Sequence, residues 1–203
     1  SLLGLLGQPS FEKALEKTAL MLANLHHLKL QTHREWNLSE ELKGLKRQTQ
    51  IMVGLLPELR EKIIRLILKL EKNSSCLAGS SSNLLHGDFY YQQVLVDQEK
   101  VYFVDLDEST SGDPLLDVGN FIAHLHYYSL RRAEYPWTDY IRLFQEAYFK
   151  ASPEFFQLEK LSWYASFSLM KLAIWPFRNL KSNWQLMTEK ILDLAEKELK
   201  DVN

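Results

Sequence analysis

Residues 84–125 read LLHGDFYYQQVLVDQEKVYFVDLDESTSGDPLLDVGNFIAHL, and the order of elements within that string decides the fold. Leu84-Leu85-His86 is short and apolar, while Gln93–Asp97 (QVLVD) and Val101–Asp105 (VYFVD) carry the β-branched and aromatic residues that suit a pleated, half-buried surface. Gln98-Glu99-Lys100 between the last two predicts a hairpin. No other segment reads as a strand. Beyond a loop bearing Gly112 and several carboxylates, Asp113-Pro114 supplies an N-cap and a first-turn proline for a helix that turns Val118, Phe121, Ile122 and Leu125 inward. One loop leaving a strand and another leaving a hairpin can bring Asp88, Gln93 and Asp105 to a common mouth. Three oxygen-bearing side chains there suit a hard cation such as Mg²⁺, with one carboxylate left as a base toward a hydroxyl.

On either side of this string the periodicity is helical. Ser10 is placed to cap a helix with Phe11, Ala14, Leu15, Leu22 and Leu25 on one face, ending near His26 and His27. Asn37 with Glu40 predicts a capping box for a second helix, and Pro57 opens a third that carries Leu59, Ile63, Leu66, Ile67 and Leu70. Asn73–Asn83 is a Ser-rich loop without periodicity. Further helices are predicted over Thr138 to about Lys150, Pro153 to about Trp175 before Pro176, and Trp184 to about Leu199. No repeat and no Gly/Pro linker divides the chain.

Charge sharpens the picture. The 203 residues carry 24 Lys and Arg against 26 Asp and Glu, a net charge of −2 that gives no basic stripe for nucleic acid. Residues 1–83 hold 12 basic and 8 acidic side chains, and residues 84–203 hold 12 and 18. Between Leu84 and Asp117 stand Asp88, Asp97, Glu99, Asp105, Asp107, Glu108, Asp113 and Asp117 against Lys100 alone. Such crowding calls for solvated turns, helix caps or a cation.

A chain of this length buries roughly 70% of its unfolded surface, enough for one sizeable core. At 46% hydrophobic and 25% charged residues, it is neither disordered nor low in complexity. No apolar run approaches the ~20 residues of a membrane span, so no membrane partner is expected. Cys76 is the only cysteine, which excludes an intrachain disulfide and suggests a reducing, cytoplasmic compartment. No secretory signal is visible, and Ser1 in place of an initiator Met suggests processing or a start inside a longer protein.

The string at 84–125 resembles the catalytic core of the aminoglycoside phosphotransferase and choline kinase-like family, which shares the protein-kinase fold. That family's pattern is His-Gly-Asp, four residues, Asn, a short hairpin, Ile-Asp, and later Gly-Asp-Pro followed by Asp and a helix. The likeness is close over about forty residues; the flanking helices agree in order and spacing, including Leu25-His26 at the end of the first. It implies that Asp88 takes or orients the proton of the acceptor hydroxyl, and that Asp105 occupies the metal-binding position of the kinase Asp-Phe-Gly motif. Gln93 falls where the family has a metal-binding Asn; its amide oxygen is the same ligand on a longer stem. Asp117 would accept backbone N–H bonds from the catalytic loop, a supporting role.

His86 is better read as a core residue hydrogen-bonded to a carbonyl than as a proton carrier, and thus as support for that loop. Asp107 and Glu108 are candidates to face the acceptor or metal, set against plain solvated loop carboxylates. Asp113 fits an N-cap. His124 and His126, two apart on a helix, cannot share a face, so zinc there is not expected. Trp163, Trp175 and Trp184 read as core or groove aromatics.

The expected fold is therefore mainly α with a small β-hairpin or sheet: a single helical C-terminal lobe over residues 1–203, with catalytic loop and hairpin at 84–117. The strand-rich N-terminal lobe that covers the nucleotide phosphates and supplies a Lys is absent from the chain. Residues 1–7 (SLLGLLG) look like the stretch just past the hinge that joins the lobes. The expected parent is an ATP- and Mg²⁺-dependent kinase acting on a small hydroxyl-bearing acceptor such as an aminoglycoside, sugar or amino-alcohol, and the lobe alone should be inactive. A catalytically silent, kinase-derived binding module is the alternative; a helical metal-dependent phosphohydrolase is the weaker third, since no cluster of His is offered.

Overall fold

The structure, a computed structural model, describes residues 1–30, 32–79, 82–98 and 100–200. Helices α1 (Ser10–His27), α2 (Leu38–Leu55) and α3 (Arg60–Asn73) precede strand β1 (Asn83–Leu85). Strands β2 (Val94–Asp97), β3 (Lys100–Phe103) and β4 (Thr110–Gly112) follow. The chain then forms α4 (Leu115–Ser129), α5 (Trp137–Ala151), α6 (Leu158–Leu172), the short α7 (Trp175–Arg178) and α8 (Trp184–Lys200). No described helix is long and apolar enough to cross a membrane.

The core is organised around α4, whose Val118, Phe121, Ile122, Ala123 and Leu125 are all buried. A helix apolar on so many sides must be covered on several. On one side α6 closes to near backbone contact: a Cβ at Gly119 would lie 2.6 Å from the Cβ of Tyr164 and 2.8 Å from the Ala165 nitrogen. On another, Phe121 stacks on Phe144 of α5 at 4.3 Å between ring centroids. α1 covers α5 through Phe11 against Tyr140, and α8 packs on α6, where Ser166 donates to the Ala195 carbonyl. Each fully buried Phe or Leu contributes roughly 1.5–3 kcal/mol, so this core outweighs the surface ion pairs Lys62–Asp193 and Arg65–Glu196 that join α3 to α8.

Several local expectations need correction. Instead of one sheet there are, among the described residues, two antiparallel ribbons: β2 pairs with β3 (Leu95 opposite Tyr102), and β1 pairs with the unforeseen β4 (Leu84 opposite Ser111). The other edge of β4 is held by Arg34–Trp36, since Trp36 N–H donates to the Ser111 carbonyl and Ser111 N–H to that of Arg34. Ser10 does not cap α1: Pro9 already has helical dihedrals, so Ser10 lies inside the first turn. Asn37 does cap α2, accepting from Glu40 N–H, but the Glu40 side chain turns to Lys43 and leaves the box half formed.

The long helix expected from Pro153 is divided. Pro153 opens a single 3-10 turn, Phe156 and Gln157 are extended, and α6 runs only to Leu172. Pro176 then sits in the first turn of α7, where its missing N–H costs nothing. The helix after Asp113-Pro114 starts at Leu115, with Asp113 Oδ1 accepting the Leu115 N–H, and the Asp113 carboxylate also lies 3.6 Å from the buried Lys160 ammonium. Ser80 and Ser81 of the Ser-rich loop and Glu99 of the hairpin lie outside the described residues.

Candidate functional site

The His86-Gly87-Asp88 loop leaves β1 and is fixed from below by α4. His86 N–H donates to Asp117 Oδ2 at 2.7 Å and Gly87 N–H to Asp117 Oδ1 at 3.0 Å. Asp117 is fully buried and also meets His26 Nε2 at 3.2 Å, while His26 Nδ1 is 2.7 Å from the Tyr148 hydroxyl. One carboxylate thus joins the loop to α1 and α5. Beyond Asp88, the Phe89 carbonyl accepts from Asn120 Nδ2 at 3.1 Å, and the Phe89 ring is clamped between Phe103 and Phe121. Gly87 has φ +87°, and a Cβ there would overlap the Glu108 carbonyl oxygen, so glycine is required.

Asp88 itself projects toward solvent from this fixed base. Partial desolvation pushes its carboxyl above the usual range, and the charges of Asp105 and Asp117 add to this, opposed by His86 and Lys171. The loop and the hairpin are joined through His86, whose Nε2 lies 2.9 Å from the Val104 carbonyl; its Nδ1 is buried with no partner among the described residues. The next residue, Asp105, adopts the left-handed conformation (φ 62°, ψ 57°), uncommon for non-glycine residues and best tolerated by Asp, Asn and His. Gln93 Nε2 donates to Asp105 Oδ2 at 3.1 Å.

Asp105 and Gln93 therefore sit side by side, with the amide nitrogen rather than the oxygen toward the carboxylate. Rotation of the amide would present two oxygens to one ion. Among the described residues no group of three His, Cys, Asp or Glu could hold a metal. One carboxylate and one amide fit Mg²⁺, which is usually held by one or two carboxylates completed by substrate phosphates and water.

Glu108 pairs with Arg34 at 2.9 Å, and Asp107 is exposed on the same turn. His126 pairs with Glu198 at 3.0 Å. Trp163 is core, stacked on Phe167, and Trp184 packs on Phe177.

Beside Asp88 opens an inner cavity of about 120 Å³, lined among others by Trp36, Asn120, His124, Lys171 and Trp175. It adjoins a wider cleft of about 540 Å³ through shared Trp36, Glu41, Asp88 and Lys171. Sequence reasoning missed most of this lining, together with Tyr148 and Asn120. A signal was present in Asp117, Asn120 and His124, which recur at i, i+3 and i+7 on one face of an otherwise apolar helix.

The model of the phosphotransferase enzyme family (APH) matches residues 6–154. No curated protein matches the sequence. Among solved structures, the chain is similar to a choline/ethanolamine kinase family protein from Mesorhizobium loti (14% identity, TM-score 0.66, 98% of this chain and 66% of that one). It is also similar to a glucosamine kinase in complex with glucosamine, ADP and inorganic phosphate (16%, TM-score 0.70, 94% and 53%). An aminoglycoside-3'-phosphotransferase of type VIII is a third such structure (20%, TM-score 0.59, 77% and 59%). The chain spans just under two thirds of the first of these and little more than half of the other two. At such identities the likeness is one of fold: mainly helical with small antiparallel sheets, in the kinase-like arrangement.

Proposed function

This chain belongs to the phosphotransferase enzyme family, and from that premise we propose that it is the C-terminal catalytic lobe of an ATP-dependent kinase that phosphorylates a hydroxyl group of a small molecule. The observation that carries the reading is Asp88, solvent-facing on a loop whose two preceding peptide N–H groups are both bound by buried Asp117. In this reading Asp88 accepts the hydroxyl's proton as the oxygen attacks phosphorus, and its raised pKa makes it the better base. Asp105 and Gln93 would hold Mg²⁺, which when bound neutralises phosphate charge. Asp117, His86 and Asn120 keep the base in place, a matter of positioning that phosphoryl transfer depends on.

The nucleotide-clamping lobe lies outside these 203 residues in this reading, and the free thiol of Cys76 fits a reducing, cytoplasmic setting. Use of ATP draws support from the ADP held by the glucosamine kinase neighbour. Exposed Asp107 and Arg34-paired Glu108 border the site without touching its base.

Coupled ADP release across aminoglycosides, sugars and amino-alcohols tests the reading, on the 203-residue chain and on a polypeptide extended with its upstream sequence. The chain alone should release little ADP, and the extended protein should turn over with one acceptor class. There, Asp88→Asn should abolish turnover with Mg·ATP affinity nearly unchanged, whereas Asp105→Asn should weaken both. Full turnover in Asp88→Asn would remove Asp88 as the base, and no turnover with any acceptor would favour the silent binding module.

A further inference from the structure

Three buried side chains, Asn83, His86 and His124, each leave a polar atom without a partner among the described residues, and of these His124 lines a cavity. It is 3% exposed on α4, lines the inner cavity beside Asp88, and its buried Nδ1 has no hydrogen-bond partner among the described residues. Buried polar groups are almost always hydrogen-bonded, so an imidazole left without a partner in a cavity wall points to something that enters the cavity. Nor is the ring free to look elsewhere. Tyr90 stacks on it at 4.4 Å between centroids and Trp175 meets it edge-on at 5.5 Å.

We propose that His124 sets acceptor specificity: its imidazole hydrogen-bonds a hydroxyl of the acceptor, so that the site takes an uncharged polyhydroxylated ring, a sugar or cyclitol, over an alkylammonium alcohol. This rests on the kinase reading above for the identity of the cavity as the acceptor site. The first argument is one of charge. Burial drives the His124 pKa down to about 3, so the ring is neutral at physiological pH and offers one donor and one acceptor. A hydroxyl both donates and accepts and matches either tautomer. A quaternary ammonium does neither.

The surrounding ionisable groups argue the same way. Tyr90 and Tyr91 face the ring with hydroxyls pushed up by burial, so they bring no charge. Of the charged groups lining the cavity, Glu41 is already paired with Lys171 at 3.1 Å, and the Lys171 charge bears on Asp88. Asp88 is the carboxylate left over, and it is committed to the reacting hydroxyl. A cationic acceptor would bring a buried charge without its own counter-charge, at a cost that a neutral ring avoids. Trp36 and Trp175 add apolar lining that suits the C–H side of a saturated ring.

The experiment is histidine-observed ¹H–¹⁵N NMR of the 203-residue chain, titrated without nucleotide against D-glucose, N-acetylglucosamine, myo-inositol, choline and ethanolamine. The His124 ring-nitrogen resonances should stay fixed with choline and move more with at least one of the neutral rings than with ethanolamine, whose primary ammonium can only donate. Affinity for that ring should fall roughly tenfold in His124→Leu and be largely kept in His124→Gln, which also controls for folding. Response of His124 to choline with none to the neutral rings would overturn the proposal, because Trp36 and Trp175 would then be acting as a cation–π cage. So would silence toward every probe, protonation of His124 near pH 6, or undiminished ring binding in His124→Leu. Because no nucleotide is present, these outcomes are independent of the Asp88 turnover assay, and either reading can fail alone.

Discussion

The two arms of the site are built differently. The Asp88 arm is anchored from three helices, through Asp117 and Asn120 on α4, His26 on α1 and Tyr148 on α5. The Asp105 arm is an exposed turn at the end of a two-stranded ribbon, tied by the Gln93 amide and by the His86–Val104 contact. In the proposed reading, a base must be held before the substrate arrives, whereas a metal-holding pair would gain its remaining ligands from the substrate itself. The first arm is thus set by the core, and in that reading the second would be completed by what it binds.

The harshest way to break that contrast is Asp117→Leu. It strips the acceptor from two loop N–H groups and from His26 in a fully buried setting, and a loss of about 3–5 kcal/mol is expected, read by thermal or urea unfolding. Gly87→Ala comes next, at about 2–3 kcal/mol, because the left-handed dihedral and the overlap with the Glu108 carbonyl act together. Tyr148→Phe leaves His26 Nδ1 buried without its partner and should cost about 1–2 kcal/mol. On the other arm, Asp105→Asn should stay within about 0.5 kcal/mol of the parent chain. If it destabilised as much as Tyr148→Phe, the hairpin arm would be as preformed as the loop and the contrast would fall.

The same contrast governs what could be read from sequence. Asp88, Gln93, Asp105 and Asp117 lie within one short string whose strand, hairpin and helix signals are local, so their grouping is visible in the order of residues. Tyr148 stands 122 residues from His26, and in sequence it is one more apolar-face position of α5. β4 is Thr-Ser-Gly, without an apolar or β-branched pattern, and exists because β1 and Arg34–Trp36 offer backbone partners on both edges. Ser10 has the right chemistry for a cap, but Pro9 already accepts helical dihedrals and starts the turn earlier. In sequence His124 suggests no more than a metal ligand paired with His126, and the polar face it forms with Asp117 and Asn120 emerges from the burial of the helix on its other sides.

The smallest effect tests the rigid arm from within. Asp88 has its pKa raised above the ordinary 3.8, chiefly by desolvation and further by the charges of Asp105 and Asp117. The folded chain therefore binds this proton more tightly than the unfolded one, and stability falls as pH rises from the unfolded value through the folded one. Above both values the charged carboxylate is a standing cost; below both it is none. Asp88→Asn removes the charge and keeps the shape, so it should raise the melting temperature slightly at pH 7 and leave it unchanged near pH 3. The gain is a fraction of a kcal/mol, because the group reaches solvent and its interactions are screened. A substitution that destabilises at pH 7 would mean that the carboxylate is bound by donors within the loop. Asp88 would then be a structural member of that arm, and the base would have to be sought elsewhere.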